Sequence, residues 1–73
     1  MQKNNNSLIK FGKRVRQLRQ ERGIDSQMAL SLKSGIDRTY IGGIERGERN
    51  VALKNIERLA NALGVSIEEM FRF

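Results

Sequence analysis

Arg38, Thr39 and Tyr40 stand side by side in the stretch GIDRTYIGGIERG, residues 35–47, and Arg46 follows near its end. Together they offer a guanidinium fork, a hydroxyl and a phenol. Such groups hydrogen-bond to planar acceptors and to anionic oxygens, and an arginine fork fits paired acceptors best. They are not a proton-transfer set. The chain has no histidine and no cysteine. That removes the commonest acid–base group, thiolate nucleophiles, disulfides and the usual soft metal ligands. No paired carboxylates fall on one helical face, and no glycine loop has the form that cradles phosphates. The chemistry on offer is recognition, with no cofactor, no metal site and no enzyme activity expected.

Those donors need a rigid element beneath them. Ile41 and Ile44 lie one helical step apart, so residues 38–46 read as a short amphipathic helix. Asp37 is placed to cap it and Gly47 to end it. Gly42 and Gly43 interrupt the helix, and each costs roughly 0.5–1 kcal/mol relative to alanine. On a helical wheel Thr39, Gly42, Gly43 and Arg46 point away from the isoleucines, with Arg38 on the flank. The glycines are therefore expected on the outward face, where bare backbone lets a ligand approach closely. On that reading Gly43→Ala stabilises the free protein and weakens binding.

The remaining elements follow from spacing and stop signals. Leu8, Phe11, Val15 and Leu18 repeat at helical intervals and stop at Gly23. Ser26 can cap a second helix, with Met28, Ala29, Leu30 and Leu32 on its buried side, up to Gly35. Leu53, Ile56, Leu59, Ala60 and Leu63 mark a fourth helix stopped by Gly64. Ser66 and Glu69 have the capping-box form and open a short fifth helix ending in Met70 and Phe71. No strand alternation of useful length appears. The expected fold class is all-α: a compact five-helix bundle over residues 8–73, preceded by a flexible tail over residues 1–7.

The 73 residues carry a net charge of +6, unevenly placed. Residues 1–25 hold seven basic and two acidic groups, whereas residues 51–73 balance at three and three. Such asymmetry points to a polyanionic partner, most simply nucleic acid. No apolar run approaches the roughly 20 residues of a membrane span, and the start lacks the apolar stretch of a secretory signal. A cytoplasmic protein with no membrane partner and no evident small-molecule effector is expected.

A helix ending at Gly35, followed two residues later by a new cap at Asp37, must turn sharply. That is the sequence form of a helix-turn-helix, whose second helix lies in the DNA major groove and reads base edges with its first turn. Arg38, Thr39 and Tyr40 are then the base-reading residues, with Gly43 at close approach. The segments RVRQLRQERG, SQMALSLKSGIDRTYIGGIERGERN and LKNIERLANALGVSIEEMF together resemble the phage-repressor/Cro-type (xenobiotic-response-element-type) helix-turn-helix family over about residues 8–71. The resemblance implies a lambda-repressor-like DNA-binding domain. It implies phosphate contacts from Gln27, Arg14, Arg46, Arg49 and Asn50, and a partly buried ion pair between Arg19 and Glu45. Two positions depart from the family pattern. One residue more than usual separates Gly23 from Ser26-Gln27, and Ser31 replaces a small alanine. The Ser31 hydroxyl is expected to bond the carbonyl one turn back.

Val51, Ile67, Met70, Phe71 and Phe73 exceed what so small a core comfortably buries. They are expected to form a homodimer interface, which would let two copies read a palindromic operator in double-stranded DNA. The function expected is sequence-specific transcription regulation. Val51 where many relatives have proline makes the chain similar to restriction–modification controllers. The alternative is an antitoxin-like or adaptor module for which DNA is secondary.

Overall fold

The computed structural model describes residues 6–73. Among the described residues five helices follow one another: α1 (Asn6–Glu21), α2 (Gln27–Ser34), α3 (Arg38–Glu45), α4 (Leu53–Leu63) and α5 (Ile67–Met70). α1 begins two residues earlier than the spacing of its leucines suggests. The rest of the expected tail, residues 1–5, lies outside the described residues. No strand and no helix long and apolar enough to cross a membrane occurs among the described residues.

One core unites the helices. Phe11, Val15 and Leu18 of α1 meet Leu30 of α2, Ile41 and Ile44 of α3, Ile56, Leu59, Ala60 and Leu63 of α4, and Met70 of α5. α1 packs on α3 and α5, α2 on α3 and α4, and α4 on α5. α3 is therefore held between α1 and α2, and Ile41 and Ile44 are fully buried. Each such burial contributes roughly 1.5–3 kcal/mol.

Helix ends explain the chain's punctuation. Ser26, Asp37 and Ser66 each accept a backbone N–H of the first turn they precede, from Ala29, Thr39 and Glu69 respectively. At the end of α1, the Ile24 N–H bonds the Arg19 carbonyl and the Ile24 side chain is buried in the core. That accounts for the extra residue before Ser26: Ile24 is a hydrophobic helix stop, and exposed Asp25 alone bridges to the cap. Gly47 has a φ of +76°, and a Cβ there would also fall 2.8 Å from Cα of Ile9. It is doubly required, by its left-handed backbone and by α1 pressing on it.

The turn between α2 and α3 is clasped rather than loose. Gly35 adopts a φ of +76° and Ile36 drops into the core. The Ile36 N–H donates to Oγ of Ser34, and Oγ of Ser31 donates to the Ile36 carbonyl. Ser31 thus finds its partner across the turn, not one turn back along its own helix.

Three sequence expectations are corrected here. Met28 and Leu32 are exposed, Leu32 by 80%, so the buried side of α2 consists of Leu30 with Ala29 partly covered. An eight-residue helix with apolar side chains at 28, 29, 30 and 32 has no unique apolar face. Leu53, at the start of α4, also faces outward. Met70, expected at a dimer surface, is 0% exposed and belongs to the core.

Candidate nucleic-acid interface

The first turn of α3 projects Arg38 and Thr39 into solvent, with Tyr40 half-buried against the core. Asp37 is spent on the cap: its Oδ2 accepts the Thr39 N–H at 2.9 Å. Its charge also complements the positive end of α3. Tyr40 lines an open groove together with Gly35, Ile36, Asp37, Asn55 and Arg58. Asn55 and Arg58 belong to α4, where an exposed cation reads in sequence as an ordinary solvated side chain. Only the packing of α4 beside the turn brings Arg58 to the groove that Tyr40 lines.

The glycines do not lie bare. Gly42 and Gly43 are both buried, and not by the core. A Cβ on Gly42 would stand 3.1 Å from Nη1 of Arg46 and 3.1 Å from Oε1 of Gln27. A Cβ on Gly43 would stand 2.8 Å from Cγ of Arg49. The expectation of an open backbone face, with Gly43 itself reaching a base, is therefore corrected: side chains from α2 and from beyond α3 roof the glycines over. The wheel fails here because it orients Cβ vectors, which glycine lacks, and cannot show what neighbouring segments lay across the gap.

Two of the roofing residues, Arg46 and Arg49, are exposed cations. Arg46 is exposed, and its Nε donates to Oε2 of Glu48 at 3.0 Å. The hydrogen bond with Glu48 raises the Arg46 guanidinium above its usual range, and the same bond from Arg46 holds the Glu48 carboxyl below the ordinary one. The Arg49 guanidinium carbon lies 5.3 Å from the centroid of the Tyr40 ring, within cation–π range. Asn50 is exposed but lines an apolar hollow with Leu8, Phe11, Val51 and Phe71. It marks the border between the α3 surface and the apolar patch.

Behind α3 lies a charged anchor. Arg19 Nε donates to Oε2 of Glu45 at 2.7 Å and Nη2 to Oε1 at 3.2 Å, while Nη1 donates to the Ile24 carbonyl. The pair is nearly inaccessible to solvent, 7% and 3% for the two side chains. Gln27 joins it, with Nε2 donating to Oε1 of Glu45 at 3.0 Å. Helices α1, α2 and α3 are thus tied at one point. Among the described residues no buried side-chain polar atom lacks a partner. Removing either charge would strand the other, at about 3–5 kcal/mol.

Arg14 is elsewhere engaged. Nε donates to the Glu69 carbonyl at 2.8 Å, Nη1 to Oε1 of Gln17, and Nη2 reaches Oε2 of Glu69. The expected phosphate ligand is instead a clamp holding α5 to α1. Periodicity within α1 gives no hint of this, because the partner is 55 residues away.

Comparison with known proteins agrees with this geometry. The helix-turn-helix family profile matches residues 15–70. The chain is 45% identical over 69 residues to control protein C.BamHI of Bacillus amyloliquefaciens, covering 94% of this chain and 85% of that one. It is 39% identical over 67 residues to control protein C.MunI of a Mycoplasma species, covering 92% and 90%. The crystal structure of the restriction–modification controller protein C.AhdI from Aeromonas hydrophila superposes with a TM-score of 0.88 at 48% identity, over 96% of this chain and all of that one. With a capped α3 presenting Arg38 and Thr39 from a clasped two-helix turn, the chain belongs to the helix-turn-helix family of DNA-binding transcription regulators.

Proposed function

We propose that the chain is the controller of a restriction–modification system and acts as a homodimer on a palindromic operator. The observation that carries the groove reading is the exposed first turn of α3 on a rod whose opposite face, Ile41 and Ile44, is locked in the core. Arg38 pairs with a base edge in the major groove, guanine being the natural partner of its fork, and Thr39 supplies a second hydrogen bond. Tyr40 reads the groove wall beside them. Gln27, Arg46, Arg49 and Asn50 contact the phosphates that flank the reading turn, so they set affinity and register rather than sequence. The likeness to controllers, over nearly the full length of both partners, supports the assignment to restriction–modification. The site of action is the bacterial cytoplasm, at operator DNA of the nucleoid.

Dimerisation is supported by the apolar residues left outside the core. Phe71 stacks on Phe11 with centroids 5.1 Å apart, and Phe73 tilts onto Phe71 at 6.4 Å. Ile67, Phe71 and Phe73 remain exposed, and Val51 is half-covered nearby. A homodimer of this motif reads two half-sites about 34 Å apart, one turn of DNA.

The test is selection of a binding sequence from random duplexes, followed by footprinting. An inverted repeat with half-sites one helical turn apart is expected. Arg38→Ala should cost about 1–3 kcal/mol of discrimination at one symmetric base pair. A selected site with no symmetry, or an Arg38→Ala variant with unaltered preference, overturns the reading.

A further inference from the structure

Gly42 and Gly43 keep ordinary helical backbone, so neither serves a left-handed conformation. Their distinction is what rests on them. Gly42 lies under two side-chain tips, Nη1 of Arg46 and Oε1 of Gln27. Tips move easily, so an added methyl there is accommodated by small rotations. Gly43 lies under the root of a side chain: Cγ of Arg49 would be 2.8 Å and Nε 3.1 Å from an added Cβ. Cγ is fixed by a single torsion from its own backbone, so it escapes only if the whole side chain swings away. Beyond Gly43 the same side chain ends over the face of Tyr40. The bare Cα of Gly43 and the Tyr40 ring are two supports of one shelf, and Arg49 lies along it.

We propose that Gly43 is a positioning residue for DNA binding, its missing side chain seating Arg49 along α3 and onto Tyr40. The inference rests on the groove reading of α3 and deepens it. A free arginine after a helix samples many rotamers and must be ordered when it meets a phosphate. Seated, its guanidinium is already beside the base-reading turn, so backbone contact and base contact are fixed in one register. The two glycines are then unequal: Gly43 is required for the seat, and Gly42 is not.

The full chain tests this by NMR and by titration. Tyr40 is the only tyrosine and there is no tryptophan, so its ring protons are assigned without ambiguity. In the free protein the Arg49 side-chain protons should shift upfield and show through-space contacts to the Tyr40 ring. Gly43→Ala should abolish both signals and Gly42→Ala should keep them. Against a duplex selected by the unmodified chain from random oligonucleotides, Gly43→Ala and Arg49→Ala should each weaken binding about three- to tenfold. Each should also lower the salt slope by about one. The double variant should bind no worse than Arg49→Ala alone, since both changes remove one contact. Gly43→Ala retaining Arg49 on the ring, or losses that add in full, overturns the proposal. Arg49→Ala binding like the unmodified chain overturns it as well. Arg38→Ala separates the two levels: if it changes nothing, the groove reading falls, whereas its effect persisting beside an additive Gly43–Arg49 cycle sinks the seat alone.

Discussion

What Arg14 and Arg46 can do is settled by their partners, not by their type. Arg14 and Arg46 are both arginines of a basic protein, yet one is largely buried and bound to α5 and the other is exposed and held by a single exposed carboxylate. Glu48 is the more consequential partner. It occupies the donor that Arg46 would offer a phosphate, and it would place a negative charge beside a bound polyanion. Because the hydrogen bond from Arg46 holds the Glu48 carboxyl below its ordinary range, it stays ionised throughout neutral pH. The pair's contribution is present above the ordinary carboxylate pKa and is lost only as acid protonates the carboxyl through its depressed value. Mild acidification therefore leaves this restraint on Arg46 in place, and a substitution is needed to remove it. Glu48→Gln is expected to tighten binding to the selected duplex a few-fold at low salt, with a steeper dependence on salt concentration. Fluorescence-anisotropy titrations over a salt series measure both. An unchanged or weaker affinity would show that Arg46 needs Glu48 to orient it.

At the scale of elements, α3 is positioned by contacts with no slack. A Cβ on Gly12 of α1 would collide with the main-chain carbonyl of Ile44 and stand 2.8 Å from that of Glu45. Backbone cannot rotate aside as a side chain can, so α1 and α3 would have to separate. Gly12→Ala is expected to destabilise the fold by about 2 kcal/mol despite the gain in helix propensity. In a domain of this size that lowers the melting temperature by roughly 8–16 °C. Ser31→Ala, which removes the clasp on the Ile36 carbonyl, should cost only about 1 kcal/mol. Thermal melts followed by circular dichroism at 222 nm rank the two, and the reverse order would contradict this account of α3's seating. The same comparison shows what sequence can reveal. Helix limits were legible because they are written locally, in Ser26, Asp37, Ser66 and the glycine stops. The Arg19–Glu45 pair came through resemblance alone, since 26 residues separate the partners. Gly12 gave no signal: a glycine inside a basic amphipathic helix looks like a tolerated defect until the neighbouring helix is seen to rest on it. Met70 was misplaced because α5 is a single turn, too short for periodicity to show which side chain points inward.

The whole molecule divides its charge and its apolar surface between opposite purposes. The first third carries most of the positive excess, and the last third is neutral. Two copies joined through their C-terminal thirds would bring together the parts that repel least. Ile67, Phe71 and Phe73 are 38%, 46% and 59% exposed, large apolar side chains at the end of a 73-residue chain. Phe71 is unsuited to a clean test, because its ring also stacks on Phe11 of the core. Phe73→Asp and Ile67→Lys change exposed side chains outside the core and should therefore fold normally. If the patch is the dyad contact, either variant should sediment as a monomer at tens of micromolar, where the unmodified chain sediments as a dimer. Binding to a full operator should then weaken by orders of magnitude, because the second half-site is no longer delivered at high effective concentration. Binding to an isolated half-site should be nearly unaffected, since α3 and the Arg19–Glu45 anchor are intact in each protomer. Joint loss of half-site and full-site binding would instead place these residues on the DNA face. A variant that remains dimeric would locate the dyad elsewhere on the surface.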